Sequence, residues 1–252
     1  MLQKTRGIVL RAVKYGETSL VVTIFTEEWG VQSYLVSGVR SSSAKASSRP
    51  GMRAASFQPG NLLDMVAYYH TRKSLQRLSE VQFAYLYQHM PADPVRTAVM
   101  LYMVELLWRV LQHPQPFKEL FAFAVEQLQW LDTTTLGIGN EPLYFTLHAA
   151  ALLGVGLPDD FDDARPYLDL REGQFVSAIP AHPDYLDAAD SAVTARLLAC
   201  RSSDEASTIP LSQVRRRKLI LHYQDYLRWH VPGFTALHAL PTLFQLFDLP
   251  ET

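Results

Sequence analysis

The sequence predicts an α+β protein in which a small N-terminal β-barrel is followed by a C-terminal α-helical domain. Three observations carry this. Residues 7–83 hold five short segments of alternating or β-branched apolar residues, separated by turn residues. From Val81 onward the apolar period lengthens from two to between three and four. The charge divides at almost the same place: residues 1–78 carry 11 Lys or Arg against 4 Asp or Glu, whereas 79–252 carry 12 against 21. The net charge of −2 therefore conceals a basic head on an acidic body, and the expected domains are 1–80 and 81–252. With 48% apolar and 19% charged residues, the chain has the composition needed for a packed core.

The strands are expected at Gly7–Tyr15, Ser19–Phe25, Val31–Val36, Asn61–Tyr69 and Ser74–Phe83, with turns at Gly16-Glu17 and Glu28-Trp29-Gly30. Five strands with one long loop after the third fit a small, partly open barrel such as the OB-fold; an SH3-like barrel also satisfies the pattern. The long loop, Gly38–Pro59, carries Arg40, Lys45, Arg49 and Arg53 among serines and other small residues, and it has no acid. It offers too little apolar surface to offset the entropy of ordering it, so it reads either as a linker or as a cationic loop that orders on phosphate.

Asp93-Pro94 is an N-cap followed by a proline at the first helical position. Helices are then expected from Pro94 to about His113, around Leu120–Leu128 to the threonines 133–135, and at Leu143–Leu153, which is apolar nearly all round and should be central. Residues 159–190 form an acidic insertion with a hairpin-like run from Tyr167 to Val176. Helices resume at Ala188–Cys200, a polar loop covers Arg201–Thr208, and two more helices run over Leu211–His230 and Leu237–Phe247.

Nothing in this pattern supports catalysis. The eight histidines form no metal-binding pair of the HExxH kind, and Gly137-Ile138-Gly139 lacks the third glycine and preceding strand of a phosphate loop. There is no GxSxG elbow, and the acidic run Asp159–Asp163 lacks calcium-loop spacing. Cys200 is the single cysteine, so no disulfide or multi-thiolate metal site can form within the chain. No metal or other cofactor is expected. The absence of a long apolar run predicts a soluble, cytosolic protein without membrane contact.

The basic head points instead to a polyanion. Lys4, Arg6, Arg11 and Lys14 lie along the first strand, Arg72, Lys73 and Arg77 lie near the last, and the loop adds four cations. If the first and last strands are neighbours, these groups make one continuous surface for nucleic acid. Tyr15, Trp29, Tyr34, Phe57, Tyr68 and Tyr69 are interleaved with them, each either packing the core or offering a ring to a base. A second basic run, Arg215, Arg216, Arg217 and Lys218, spans a full helical turn, so its members cannot all face one ligand. Arg215, Arg216 and Lys218 are candidates for a partner or DNA contact.

The opening KTRGIVLRAVKYGETSLVVTIFTEEWG, with its K-x-x-G-I-V-L-R, Y-G-E and T-x-E-x-G elements, resembles the start of the RecO family of bacterial recombination mediators. Gly38-Val39-Arg40 before the basic loop, Gln58-Pro59 after it, the helix PVRTAVMLYMVELLWR and the ending RRRKLILHYQDYLRWHVPGF are similar to the family's pattern as well. The resemblance spans both domains. It implies an OB-fold followed by a helical domain, binding of single- and double-stranded DNA, annealing of complementary strands, and partnership with RecR to load RecA onto DNA covered by single-strand-binding protein. It also implies that the helical domain docks the acidic, Phe-ended tail of that protein, with Arg96, Arg109 and the 215–218 run as candidate cations, and that the protein works in the cytoplasm at the nucleoid. An alternative is an adaptor of the same machinery whose barrel binds proteins rather than DNA. Many members carry a four-cysteine zinc module in the helical domain; this chain departs from them, and a metal-free hairpin held by Tyr167, Leu170, Phe175 and Val176 is expected there.

Overall fold

The computed structural model describes residues 2–39 and 52–248. The chain divides into two compact units, residues 1–88 with 107–129 and residues 89–106 with 130–252.

In the first unit, strands β1 (Leu2–Tyr15), β2 (Ser19–Thr26), β3 (Gly30–Val36), β4 (Leu62–Tyr68) and β5 (Leu75–Phe83) close into a barrel in the order β1-β2-β3-β5-β4. This is OB-fold topology, fully closed, with β3 and β5 as the parallel pair. Closure depends on the length of β1. Its first half pairs with β4 from Leu2 opposite Tyr68 to Ile8 opposite Leu62, and its second half pairs with β2 to Tyr15 opposite Ser19. An irregularity between Val9 and Arg11 lets the strand bend from one neighbour to the other. The expected adjacency of first and last strands is therefore wrong. β4 lies between β1 and β5, because a parallel β3–β5 pairing leaves β4 to close the ring.

Alternate residues fill the barrel, Val22 and Ile24 of β2, Tyr34 and Val36 of β3, and Met65 and Ala67 of β4, joined by Leu78 and Val81 of β5 on either side of a register shift. A single 3₁₀ turn, Ala54–Phe57, brings Phe57 into that core, and Gly60 and Asn61 then bond to the backbone of Val9. The ladder thus resumes after the long loop without a stranded donor. Residues 107–129 complete this unit. Phe121 meets Phe25 edge-on at 5.4 Å, and Lys118 bonds the Glu28 carboxylate at 2.9 and 3.0 Å. Gly30 is required here: its φ is +64°, and a Cβ would sit 2.0 Å from the carbonyl oxygen of Gln115.

Helices α1 (Pro94–Val110) and α2 (Lys118–Thr133) each contribute residues to both units. As the sequence suggests, the Asp93 carboxylate caps α1, accepting from the backbone of Val95 and Arg96 at 2.9 and 3.1 Å. Helix α3 (Glu141–Leu152) is the central element of the second unit, with nine of its twelve residues buried. Tyr102 and Thr146 share a buried hydroxyl contact of 2.6 Å across α1 and α3.

The acidic insertion folds as a three-stranded sheet rather than a lone hairpin. β6 (Tyr167–Asp169) lies between β7 (Gln174–Val176) and a further strand, β8 (Tyr185–Leu186). Leu168, Leu170 and Phe175 are buried, whereas Tyr167 and Val176 are half-buried and pair across the strands. Polar contacts tie the sheet down: His182 Nε2 is 3.1 Å from Asp169 Oδ2, and Arg171 donates to Asp184 at 2.6 Å. His230 Nε2 lies 3.0 Å from the carbonyl of Leu170. Helices α4 (Ala188–Ala199), α6 (Gln213–His230) and α7 (Ala239–Phe247) follow the expected bounds closely. Within the expected polar loop, Ser203–Ser207 forms a short helix, α5, because Ser202 caps it and two acids occupy its first turn.

Candidate nucleic-acid interface and partner groove

The strand registers define one continuous outward strip on the barrel. Reading across the ladder, Tyr68 of β4 faces Arg77 of β5, Arg77 faces Leu35 of β3, Leu35 faces Val21 of β2, and Val21 faces Val13 of β1. The neighbouring row is Leu75, Ser33, Thr23 and Arg11. All alternate with core residues, so their side chains point out of the barrel. The centre of the strip is uncharged and small, and cations stand at its borders. Tyr68 and Val13 are each 43% exposed within it.

The predicted cations fall into distinct groups. Lys14 is exposed near the end of β1, and Arg72 and Lys73 are exposed on the turn between β4 and β5. Among the described residues, none of these three, nor Arg77, forms an ion pair with a carboxylate. The turn that carries Arg72 and Lys73 is held from beneath by Gln76, which is 2% exposed. Its carbonyl accepts from the backbone of His70 at 3.0 Å, and its amide donates to the carbonyls of His70 and Lys73 at 2.8 and 2.7 Å. A cleft of about 520 Å³ opens beside it, walled by Leu35, Tyr68, Leu75, Arg77, His70 and Lys73.

Arg6 and Arg11 have other employment within the same unit. Arg6 binds both oxygens of Glu27, at 3.0 and 3.1 Å, and lies 5.8 Å from the ring of Phe121. That hydrogen bonding holds the Glu27 carboxyl below its usual range, with burial opposing. The Arg11 guanidinium stacks 4.7 Å from Trp108. Arg53 is exposed at the edge of the 3₁₀ turn, while Arg40, Lys45 and Arg49 lie outside the described residues. Among the aromatics, Tyr34 and Phe57 belong to the core, and Trp29 stacks on Tyr69 at 4.5 Å and 10°. Tyr15 and Tyr68 remain exposed. The uncharged strip of Val21, Thr23, Ser33 and Leu35 did not stand out in the sequence; its signal was the solvent-side half of the strand alternation.

The run at 215–218 radiates from α6 as helical geometry requires. Arg215 donates to Asp190 at 2.7 Å, and Lys218 lies 2.6 Å from Asp190 and 3.1 Å from Asp187. Arg216 donates to Asn140 at 2.7 Å. Arg217 turns to the other side, its guanidinium 4.4 Å from the ring of Phe244. There it borders a groove of about 810 Å³ formed by the start of α1, residues 136–139, α6 and α7, with Leu136, Ile220, Leu243 and Phe247 among its apolar walls. Arg96 also borders this groove but is tied to Asp93 and to the carbonyl of Thr134. Arg109, in the barrel unit, stacks on Trp108.

Among the described residues, no three His, Cys, Asp or Glu side chains are grouped to hold a metal ion, and no helix is long and apolar enough to cross a membrane. A barrel closed in the order β1-β2-β3-β5-β4 and accompanied by a helical unit places the chain in the class of OB-fold proteins. Residues 1–87 match the family model described as Recombination protein O N terminal, and residues 91–238 match Recombination protein O C terminal. The chain is 30% identical to the DNA repair protein RecO of Phocaeicola vulgatus over 250 residues, covering 98% of this chain and all of the relative. It is 30% identical to that of Bacteroides fragilis over 249 residues, with the same coverage, and 27% identical to that of Flavobacterium psychrophilum over 250 residues, covering 97% of this chain and 99% of the relative. The chain belongs to the RecO family of DNA repair proteins, as its opening motif suggested.

Proposed function

We propose that this protein is a non-enzymatic mediator of DNA recombination in the cytoplasm, acting at the nucleoid. It binds single- and double-stranded DNA and anneals complementary strands. With RecR it helps load RecA onto DNA covered by single-strand-binding protein. The barrel, residues 1–80, contacts DNA, and the helical domain, residues 81–252, docks protein partners. The observation that carries this reading is the uncharged strip of Val21, Thr23, Ser33 and Leu35 over β2 and β3, with Arg77 of β5 beside it and the exposed cations Arg72 and Lys73 on the turn before β5. Annealing then follows from charge: cations lower the repulsion between two phosphate backbones, while salt-sensitive contacts let the strands slide into register.

Arg40, Lys45, Arg49 and Arg53 extend the same field on the long loop. Replacing all four by alanine is expected to flatten the plot of log K against log salt for single strands by up to about 3, at roughly 0.7 per lost phosphate contact. An unchanged slope would remove the loop from the interface. The groove beside Arg217 and Phe244 suits the acidic, Phe-ended tail of single-strand-binding protein, because it joins a cation to an apolar wall. A labelled tail peptide is expected to bind the full chain, and to lose binding when its terminal Phe is removed or Arg217 becomes alanine. Peptide binding by a protein that captures no DNA at low salt would favour the adaptor reading.

A further inference from the structure

The cleft beside Lys73 and Arg77 shares those two cations with the surface just described, but Leu35, Tyr68 and Leu75 add to it an apolar wall that phosphate contacts alone do not need. A surface built only to neutralise a backbone needs cations and no exposed rings. Here Tyr68 is 43% exposed and Leu75 39% exposed, and both line the cleft together with Arg77 and Lys73. The register places Tyr68 directly opposite Arg77, so a flat apolar surface and a fixed positive charge occupy adjacent strand positions. The cleft is also built to keep its shape. Its rim from His70 to Lys73 is fastened by the three hydrogen bonds of buried Gln76.

We propose that this cleft receives one unstacked base of a single DNA strand, held against the Tyr68 ring, with the adjoining phosphates on Arg77 and Lys73. The inference rests on the DNA-binding reading above and adds to it a basis for telling single strands from duplex. A base in a duplex is stacked on both faces and paired, so it has no free face for Tyr68 without the cost of unstacking. A single strand presents its bases freely, and aromatic stacking of this kind tolerates every base because each has a π-face. Duplex DNA meets only the cations, and its affinity is set by salt alone.

The test compares binding of the full chain to a single-stranded oligonucleotide of mixed sequence and to the duplex of the same length at one salt concentration. Tyr68→Ala is expected to weaken single-strand binding about 5- to 150-fold, the range for loss of one stacked base. It should leave duplex binding and the salt slope unchanged, and Tyr68→Phe should keep wild-type behaviour. Because Tyr68 lies outside the core, its folding is checked by an unaltered melting curve. An abasic strand should bind the wild type as weakly as the normal strand binds Tyr68→Ala. Equal losses on both DNA forms, or no loss on single strands, would overturn the base cleft while the DNA-binding reading stands. A wild type that binds neither form would overturn both.

Discussion

Replacing Glu141 by glutamine is expected to stabilise the helical unit by an amount that grows with pH. Glu141 opens helix α3 and is 2% exposed, and neither carboxylate oxygen has a hydrogen-bond partner of good geometry among the described residues. Burial raises its pKa from the ordinary 4.5 to about 8, and the nearby Ser203 side chain offsets only part of this. The folded carboxyl therefore keeps its proton at neutral pH, while the unfolded one has lost it. Stability is full below about pH 4.5, falls as pH rises, and levels off above about 8. At about 1.4 kcal/mol per pH unit, the wild type loses about 3 kcal/mol of stability by pH 7 and about 5 kcal/mol on the plateau. Glutamine has nearly the same shape and cannot ionise. Urea denaturation of both proteins from pH 4.5 to 9 measures the difference directly, because every other titrating group cancels. The gap should open with a slope near 1.4 kcal/mol per unit and then become constant. A gap independent of pH would refute the reasoning and show that Glu141 reaches solvent or a donor in the folded state.

Two further predictions contrast neighbouring positions. Removing both cations from Asp190 with Arg215→Ala and Lys218→Ala leaves a carboxylate whose side chain is 4% exposed without its ion pairs, and should cost about 3–5 kcal/mol in chemical denaturation. Arg217→Ala on the same helical turn should cost under about 1 kcal/mol, since its one carboxylate contact among the described residues is a distant, exposed one to Asp248 at 3.9 Å. In the barrel, Gly30→Ala should lower the melting temperature sharply, because the new methyl meets the Gln115 carbonyl in addition to the left-handed backbone. Gly16→Ala has a similar φ, +60°, with nothing within 4 Å, and should cost only the conformational penalty of about 1–2 kcal/mol.

The barrel was legible because each strand had to carry its own alternation: Ser19–Thr26 buries Leu20, Val22 and Ile24 and exposes or half-exposes the residues between. The capping of α1 by Asp93 and the dispersal of residues 215–218 around α6 were legible for the same local reason, since both depend only on helical geometry. The functions of individual cations were not legible. Arg6 and Arg11 have the same alternation as any outward strand residue, and only folding brings Phe121 and Trp108 to them from roughly a hundred positions away. Tyr34 and Tyr68 have similar strand surroundings in sequence, yet one fills the core and the other lines a surface cleft. The third strand of the acidic sheet escaped notice because Tyr185–Leu186 is too short to show a period.

Local pattern along the chain was enough to read a basic β-barrel ahead of an acidic helical body, the approximate bounds of the long helices though not of α5, and the likeness to the RecO family. Each of these depends on periodicity, capping or motif, which are properties of neighbours along the chain. Folding set the strand order that puts β4 between β1 and β5, the division of cations into those engaged by their own fold and those left exposed, and the cleft at Tyr68. Those outcomes are set by contacts between residues far apart in sequence, and one basic strand residue is chemically the same as another until folding brings it to a carboxylate, an aromatic ring or solvent.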